Sequence, residues 1–397
     1  MGGDTFTVTP AEKAERGTTI IIKLKEDAVE YADEWKLRQI VRKHSDFVAF
    51  PVYVGEGEDK QQANHVTALW RQSPREIKDE EYDEFYKQLT LEMEKPLTRT
   101  HVVTDAPVQL YGLLYIPSSG ERGMLSLRRE DGLKLYARKV LIQEYYKELL
   151  PEYYRFVHGV VDSEDIPLNV SRELVQNNPV MARLKKILTG RVTSMIKSLA
   201  EDEENPEKYE QFWKAFGDHV KQGIAIEQTD RETLYPLLRL RTTTHPDTLS
   251  SLNDYVGRMK PGQKKIYYLL GDDPRSMSRS PHLDYFRENG YEVILFTDIV
   301  DSFMLLGLQK YEGFDLQNAA AADLELPDAD KDKTPQDSQP MPDTDFTALV
   351  ERFKTQLGDR VSDVRATERL RGSIARLVDP DGTMGQEMQR VYKILEK

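Results

Sequence analysis

The chain has 397 residues, with 55 Lys and Arg against 68 Asp and Glu, a formal charge of −13 and no cysteine. At roughly 100–200 residues per domain there is room for two or three domains, each with its own core. Disulfides, thiolate zinc sites, iron–sulfur clusters and cysteine nucleophiles are excluded. No apolar run reaches the roughly 18–20 residues needed to span a bilayer, and Met1–Asp4 shows no basic-then-apolar leader. The acidic balance speaks against duplex nucleic acid, where affinity comes from neutralising phosphates. A cytoplasmic protein without membrane or nucleic-acid partners is the expectation.

Residues 1–54 alternate strand, helix, strand. Phe6 and Val8 alternate with threonines, Thr19–Lys25 (TIIIKLK) is strand-like, and Tyr31, Trp35, Ile40 and Val41 give Asp27–His44 helical spacing. Phe47–Val54 is a further strand, with Pro51 marking an edge or bulge. The polar stretch GEGEDKQQAN at 55–64 marks a weak boundary. Next come strand candidates at Val108–Pro117 and Lys134–Gln143, and amphipathic helices at Arg183–Ala200 and Lys208–Gln222. KKIYYLLGDD, SPHLDYFRENG and YEVILFTD then form a strand–helix–strand from Lys264, with Asn289-Gly290 as the helix stop. Such a unit favours a parallel pair with a right-handed crossover.

From Asp323 to Asp345 eight acids face two lysines, a net of −6, with Pro327, Pro335, Pro340 and Pro342 and no aromatic residue. This stretch reads as a linker, since it can neither continue a helix nor bury a core. Beyond it, Phe346–Leu357 is helical, Arg360–Thr367 and Ser373–Val378 are strand-like, and Met384–Leu395 is a helix.

The sequence has no GxxxxGK[ST], GxGxxG, HExxH or GxSxG motif, and its seven histidines form no i, i+4 pair. No resident metal is expected. The informative segment is Gly159–Asn177 (GVVDSEDIPLNVSRELVQN). Val160-Val161 ends a strand, Asp162 to Asp165 turn, and Ser171 is an N-cap for a helix starting at Arg172. A guanidinium beside free backbone N–H groups makes a phosphate-binding corner. The plainer reading pairs Arg172 with Glu164, Asp165 or Glu173. The aromatic run Tyr145, Tyr146, Tyr153, Tyr154, Phe156 sits among Glu144, Glu148 and Glu152, which repel phosphate, so it is expected in the core. Pro117–Gly132 (PSSGERGMLSLRREDG) is a loop with Met124, Leu125 and Leu127 at its centre and Arg128 and Arg129 beside them. It suits either exposed hydrophobic chains or simple packing onto the core.

Several segments together resemble the heat shock protein 90 chaperone family in its bacterial high-temperature-protein-G form. They include ERGTTIIIKLKED (15–27), RKHSDFVAFPV (42–52), ALWRQSPREIKDEEYDEFYKQLT (68–90), GLKLYARKVLI (132–142), LLPEYYRFVHGVVDSEDIPLNVSRELVQNN (149–178), GQKKIYYLLGDD (262–273), SPHLDYFRENGYEVILFTDIVD (280–301) and LGDRVSDVRATERL (357–370). They occur in family order over nearly the whole chain. The resemblance implies an α/β fold: a middle domain of two αβα units joined by a helical segment, plus a remnant of an N-terminal ATPase domain and a truncated α+β C-terminal domain. Laid on the chain, this plan gives the remnant at 1–54, a linker at 55–63 and the middle domain at 64–316. The middle domain divides into a larger unit at 64–180, a helical connection at 181–250 and a smaller unit at 255–315. The acidic linker is 317–345 and the dimerisation domain 346–397. By that plan the chain is a piece of a longer protein, without the family's upstream nucleotide-binding motifs.

The family uses the arginine of its NxSRExxQ loop to reach the γ-phosphate of ATP held by its N-terminal domain. By resemblance that arginine is Arg172, with Gln176 supporting it and Asn169 shaping the loop. Thr18 matches the family's adenine-pocket threonine, here orphaned from that pocket. Val175 replaces a larger apolar residue usual in the loop. Loop 117–132 matches the family's amphipathic client-contact loop, which makes Met124, Leu125 and Leu127 client-binding candidates, though it lacks the aromatic residue often found there. Phe303 and Met304 are further candidates, because the family places client-contacting apolar residues nearby. The resemblance implies ATP and Mg in the full-length protein and none bound here. Its implied partners are non-native clients, an N-terminal ATPase domain and co-chaperones. The full-length protein is expected to be a homodimer, and this chain a monomer inactive alone as an ATPase. Two rival expectations are a self-contained α/β enzyme using Arg172, Asp162 and Glu164 on a phosphorylated small molecule, and a scaffold without client preference.

Overall fold

The computed structural model describes residues 6–14, 16–120, 131–166, 178–321, 324, 343–365 and 375–378. Two compact units emerge, one within Met1–Ala68 together with Arg138–Ile142, the other within Leu69–Ala137 and Gln143–Lys397. The fold is mixed α/β, with mixed sheets.

In the first unit a 3-10 turn at Glu26–Ala32 leads into α1 (Glu34–Ser45). Asp33 caps α1 by accepting a hydrogen bond from the Lys36 amide at 2.9 Å. Thr19–Lys25 does not form the expected strand: Ile20, Ile21 and Ile22 are exposed, and no described strand pairs with them. A strand is stable only where a neighbour takes up its backbone hydrogen bonds, and composition cannot supply that neighbour. The expected strand Phe47–Val54 shrinks to β1 (Tyr53–Val54), which pairs antiparallel with β2 (Gln61–Gln62). The polar stretch between them is therefore a hairpin return. Buried Asn64 ties it down, accepting from the Val52 amide at 2.8 Å and donating to the Phe50 carbonyl at 2.9 Å.

The second unit opens with the turn Leu69–Arg71 and α2 (Asp79–Thr90), which buries Tyr82 and Tyr86. Its buried face is aromatic rather than aliphatic, so its apolar stripe is weak in the sequence. A five-stranded sheet follows, ordered β3-β4-β7-β5-β6. Its strands are β3 (Thr98–Thr104), β4 (Leu110–Ile116), β5 (Leu133–Ala137), β6 (Val140–Tyr146) and β7 (His158–Ser163). β3 and β4 are antiparallel, as are β4 and β7, while β5 runs parallel to β7. The single strand expected at Lys134–Gln143 is instead two. Arg138 and Lys139 both adopt positive φ, +50° and +66°, the geometry of a two-residue hairpin turn that reverses the chain. The central strand β7 is buried throughout, and Tyr153, Tyr154 and Phe156 lie in the core as expected.

α3 (Pro179–Ala200) and α4 (Pro206–Ile226) realise the two expected helices. Each starts earlier than its apolar spacing suggests, because proline at the first helical position needs no hydrogen-bond partner and has φ preset. Asn178 caps α3, accepting from the Val180 amide at 2.8 Å. α3 buries Leu184, Leu188, Val192, Ile196 and Leu199, and α4 buries Phe212, Phe216, Val220 and Ile224.

The second sheet runs β11-β12-β9-β10-β8, built from β8 (Arg241–Thr242), β9 (Lys265–Leu270), β10 (Ile294–Phe296), β11 (Lys310–Tyr311) and β12 (Phe314–Asn318). β9 and β10 are parallel, as the strand–helix–strand pattern requires. The helices of this part are α5 (Leu252–Gly257), α6 (Pro274–Ser278), α7 (Asp284–Glu288) and α8 (Ile299–Gly307). The expected stop holds, with Asn289 capping α7 and Gly290 at φ +63°. Tyr267, Phe286, Val293 and Leu295 pack as the core. α9 (Asp343–Leu357) matches the helix expected at Phe346–Leu357, but Val361–Arg365 and Ala375–Val378 form no strand. The helix expected at Met384–Leu395 lies outside the described residues.

Candidate functional site at the end of strand β7

The informative segment begins on the most buried strand of the larger sheet. Asp162, fully buried near the end of β7, accepts hydrogen bonds on the same Oδ2 from Trp70 Nε1 at 3.0 Å and Arg71 Nε at 2.7 Å. Arg71 Nη1 donates to Glu164 Oε1 at 2.6 Å, and its guanidinium stacks 4.2 Å above the Tyr111 ring. Tyr111 itself stands opposite Asp162 in the β4–β7 register. Burial disfavours the charge on Arg71, but the hydrogen bonds and charges of Asp162 and Glu164 outweigh it and raise its pKa further. The intervening residues are held from the other side. Ser163 Oγ donates to the Gln109 carbonyl at 2.6 Å, and the Gln109 amide donates to Asp165 Oδ2 at 2.8 Å.

The chain is thus held residue by residue from Asp162 to buried Ile166, and it is held again where Asn178 caps α3. Asn169, Arg172 and Gln176 fall between these two ends, outside the described residues. Glu164 and Asp165, two of the acids that the plainer reading gave to Arg172, already bind Arg71 and the Gln109 amide. Asp162 offers no surface to a substrate, which removes it from the residues that the enzyme alternative would use on a phosphorylated small molecule.

Met124, Leu125 and Leu127 also lie outside the described residues, but the start of their loop is set. Ser118 accepts from Gln211 Nε2 at 2.8 Å, and Gly120 lies so close to α4 that a Cβ there would sit 2.7 Å from the Ala215 carbonyl. On α8, Met304 is fully buried and Phe303 half-buried, whereas Ile299 and Leu306 are exposed. These last two escaped the sequence reading. The helical alternation of IVDSFMLLG was visible, but which face is covered depends on α4. α8 is mounted on α4 through Lys221, whose Nζ lies 2.5 Å from Asp298 Oδ2 and 2.8 Å from Asp301 Oδ1. Burial raises the Asp301 pKa, and Lys221 opposes that shift. Thr18 is exposed.

Among the described residues no group of His, Asp and Glu is arranged to hold a metal ion. An open cavity of about 390 Å³ lies between β3 and α3, lined in part by Arg99, Thr100, Arg191, Ser198 and Lys208, and it receives no residue from β7. No helix among the described residues is long and apolar enough to cross a membrane.

A family model described as Hsp90 protein matches residues 55–396. The chain is 40% identical to the Chaperone protein HtpG of Paramagnetospirillum magneticum over 399 aligned residues, covering 99% of this chain and 63% of that protein. Similar matches are the Chaperone protein HtpG of Pseudoalteromonas translucida, at 38% identity with 99% and 64% covered, and that of Myxococcus xanthus, at 38% with 98% and 60% covered. The chain therefore spans a little under two thirds of the length of these relatives. By the extent of these matches, the chain belongs to the Hsp90 protein family.

Proposed function

We propose that this chain is the client-holding and phosphate-contacting part of an ATP-dependent molecular chaperone. In this reading residues 64–316 act as the middle domain, 1–54 as part of an ATPase domain and 346–397 as part of a dimerisation domain. Arg172 reaches the γ-phosphate of a Mg-bound ATP held by another segment, with Gln176 and Asn169 shaping its loop. A fixed guanidinium at that point would stabilise charge on the transferring phosphoryl group without itself reacting. Thr18 belongs to the adenine side of that pocket. Non-native clients lie on Met124, Leu125 and Leu127 and on the α8 surface around Phe303, with Met304 beneath it as support. The protein works in the cytoplasm with co-chaperones, as a homodimer when full-length and as a monomer in the form of this chain.

The observation that carries the reading is the alignment to chaperones over 99% of the chain, and the NVSRELVQ string at 169–176 supports it. The test is reconstitution in trans. The chain alone should turn over negligible ATP, and added to the nucleotide-binding domain of a bacterial relative it should raise that domain's turnover. Arg172→Ala should remove the stimulation, and equal stimulation by the variant would refute the assignment. The same chain should suppress aggregation of a denatured substrate, whereas a pure scaffold would not.

A further inference from the structure

We infer that Arg71 is a positioning residue, which aims the segment leaving β7 by clamping Asp162 and Glu164 with one guanidinium. β7 ends at Ser163 and residues 164–166 bend away, with the Asp165 amide donating to Ser163 Oγ at 3.2 Å, so the carboxylates at 162 and 164 and the pair at 163 and 165 are held by separate partners. Arg71 takes the first pair, and the Gln109 backbone together with Ser163 Oγ secures the second. The exit of the chain is therefore gripped at four successive residues.

The clamp is itself rigidly mounted. Arg71 follows the fully buried Trp70, whose carbonyl accepts from His101 Nε2 at 3.0 Å and whose indole shares the Asp162 oxygen. The guanidinium face rests on Tyr111, its Nε meets one carboxylate and its Nη1 the next, so neither plane nor rotation is left free. Its Nη2 is buried without a hydrogen-bond partner, so those two bonds, not a general polar surrounding, define its pose. A lysine could keep the charge but could not span two carboxylates in a fixed fork. The consequence for catalysis rests on the role proposed above for Arg172, whereas the consequence for the chain exit does not.

The experiment compares the full chain with its Arg71→Lys and Arg71→Gln variants by backbone hydrogen exchange. Amides in peptides covering 164–178 should exchange faster by about tenfold or more, the effect of losing one charge-assisted hydrogen bond, with 184–196 and 210–224 unchanged. Unchanged exchange in 164–178 in the lysine variant, which retains the buried charge and so the fold, would overturn the inference. In the reconstituted system Arg71→Lys should lower kcat with the KM for ATP unchanged, because ATP is held by the other polypeptide. A role in stability alone would instead be rescued by lysine. If Arg172→Ala abolishes stimulation and Arg71→Lys does not reduce it, positioning fails and the reading of Arg172 stands. If Arg172→Ala has no effect, that reading fails and the exchange result still decides on Arg71.

Discussion

Asp162 concentrates the energetic risk of the site in one side chain. It is fully buried, takes two donors on one oxygen and neutralises a guanidinium that is itself mostly out of water. Deleting one partner of such a pair leaves an uncompensated charge, which costs far more than the pair gains over an apolar replacement. Asp162→Ala should therefore lower stability by about 3–5 kcal/mol in urea unfolding. Adding Arg71→Met should recover part of that loss, since the stranded charge is then gone. Additive losses in the double variant would show that the two groups do not depend on each other.

Between elements, the tightest approach that bears on the proposed client surface is α8 against α4. Gly307 ends α8 directly over the α4 backbone, where a Cβ would meet the Ile224 carbonyl at 2.3 Å. Backbone cannot move aside as a flexible side chain would, so even one methyl group must push the helices apart. Gly307→Ala should cost about 1–3 kcal/mol in thermal or chemical unfolding. It also displaces the helix that presents Ile299 and Leu306, and the same variant should suppress substrate aggregation less well. Full stability and full suppression would place α8 farther from α4 than this geometry does. Lys221 holds the other end of the same contact.

The pH response belongs to the whole molecule, because the groups responsible sit on different elements. Burial lowers the pKa of His101 on β3, although its bond to the Trp70 carbonyl opposes the shift, and burial and Arg155 lower that of His219 on α4. His282 is pushed down to about 4 by burial and then by Arg376. Each folded pKa lies below the ordinary value of 6.5, so the unfolded chain binds the proton first as pH falls. Their contribution is present above about pH 6.5 and is lost as pH drops toward about 4. Asp301, raised by burial, acts in the opposite sense and offsets part of the loss. The urea midpoint should fall across this interval, and His282→Gln should shrink the fall. An identical fall in that variant would remove His282 from the account.

Local pattern sufficed for α3, α4 and the parallel pair β9–β10, because prolines, caps and apolar spacing act over a few residues and agree with the packing. The NVSRELVQ motif was equally legible as a string. The grip on the end of β7 was not: Arg71 meets Asp162 across 91 positions of sequence, and nothing near either residue announces the other. β3 was missed because an edge strand rich in threonine carries little apolar alternation, and TIIIKLK read as a strand although pairing depends on a neighbour it does not find here. Met304 and Ile299 share one apolar helix, and only the placement of α4 decides which is core and which is surface. The sequence by itself determined the family and the long helices α3 and α4. Tertiary structure alone decided how the exit from β7 is gripped, because burial and charge pairing arise between segments that are distant along the chain.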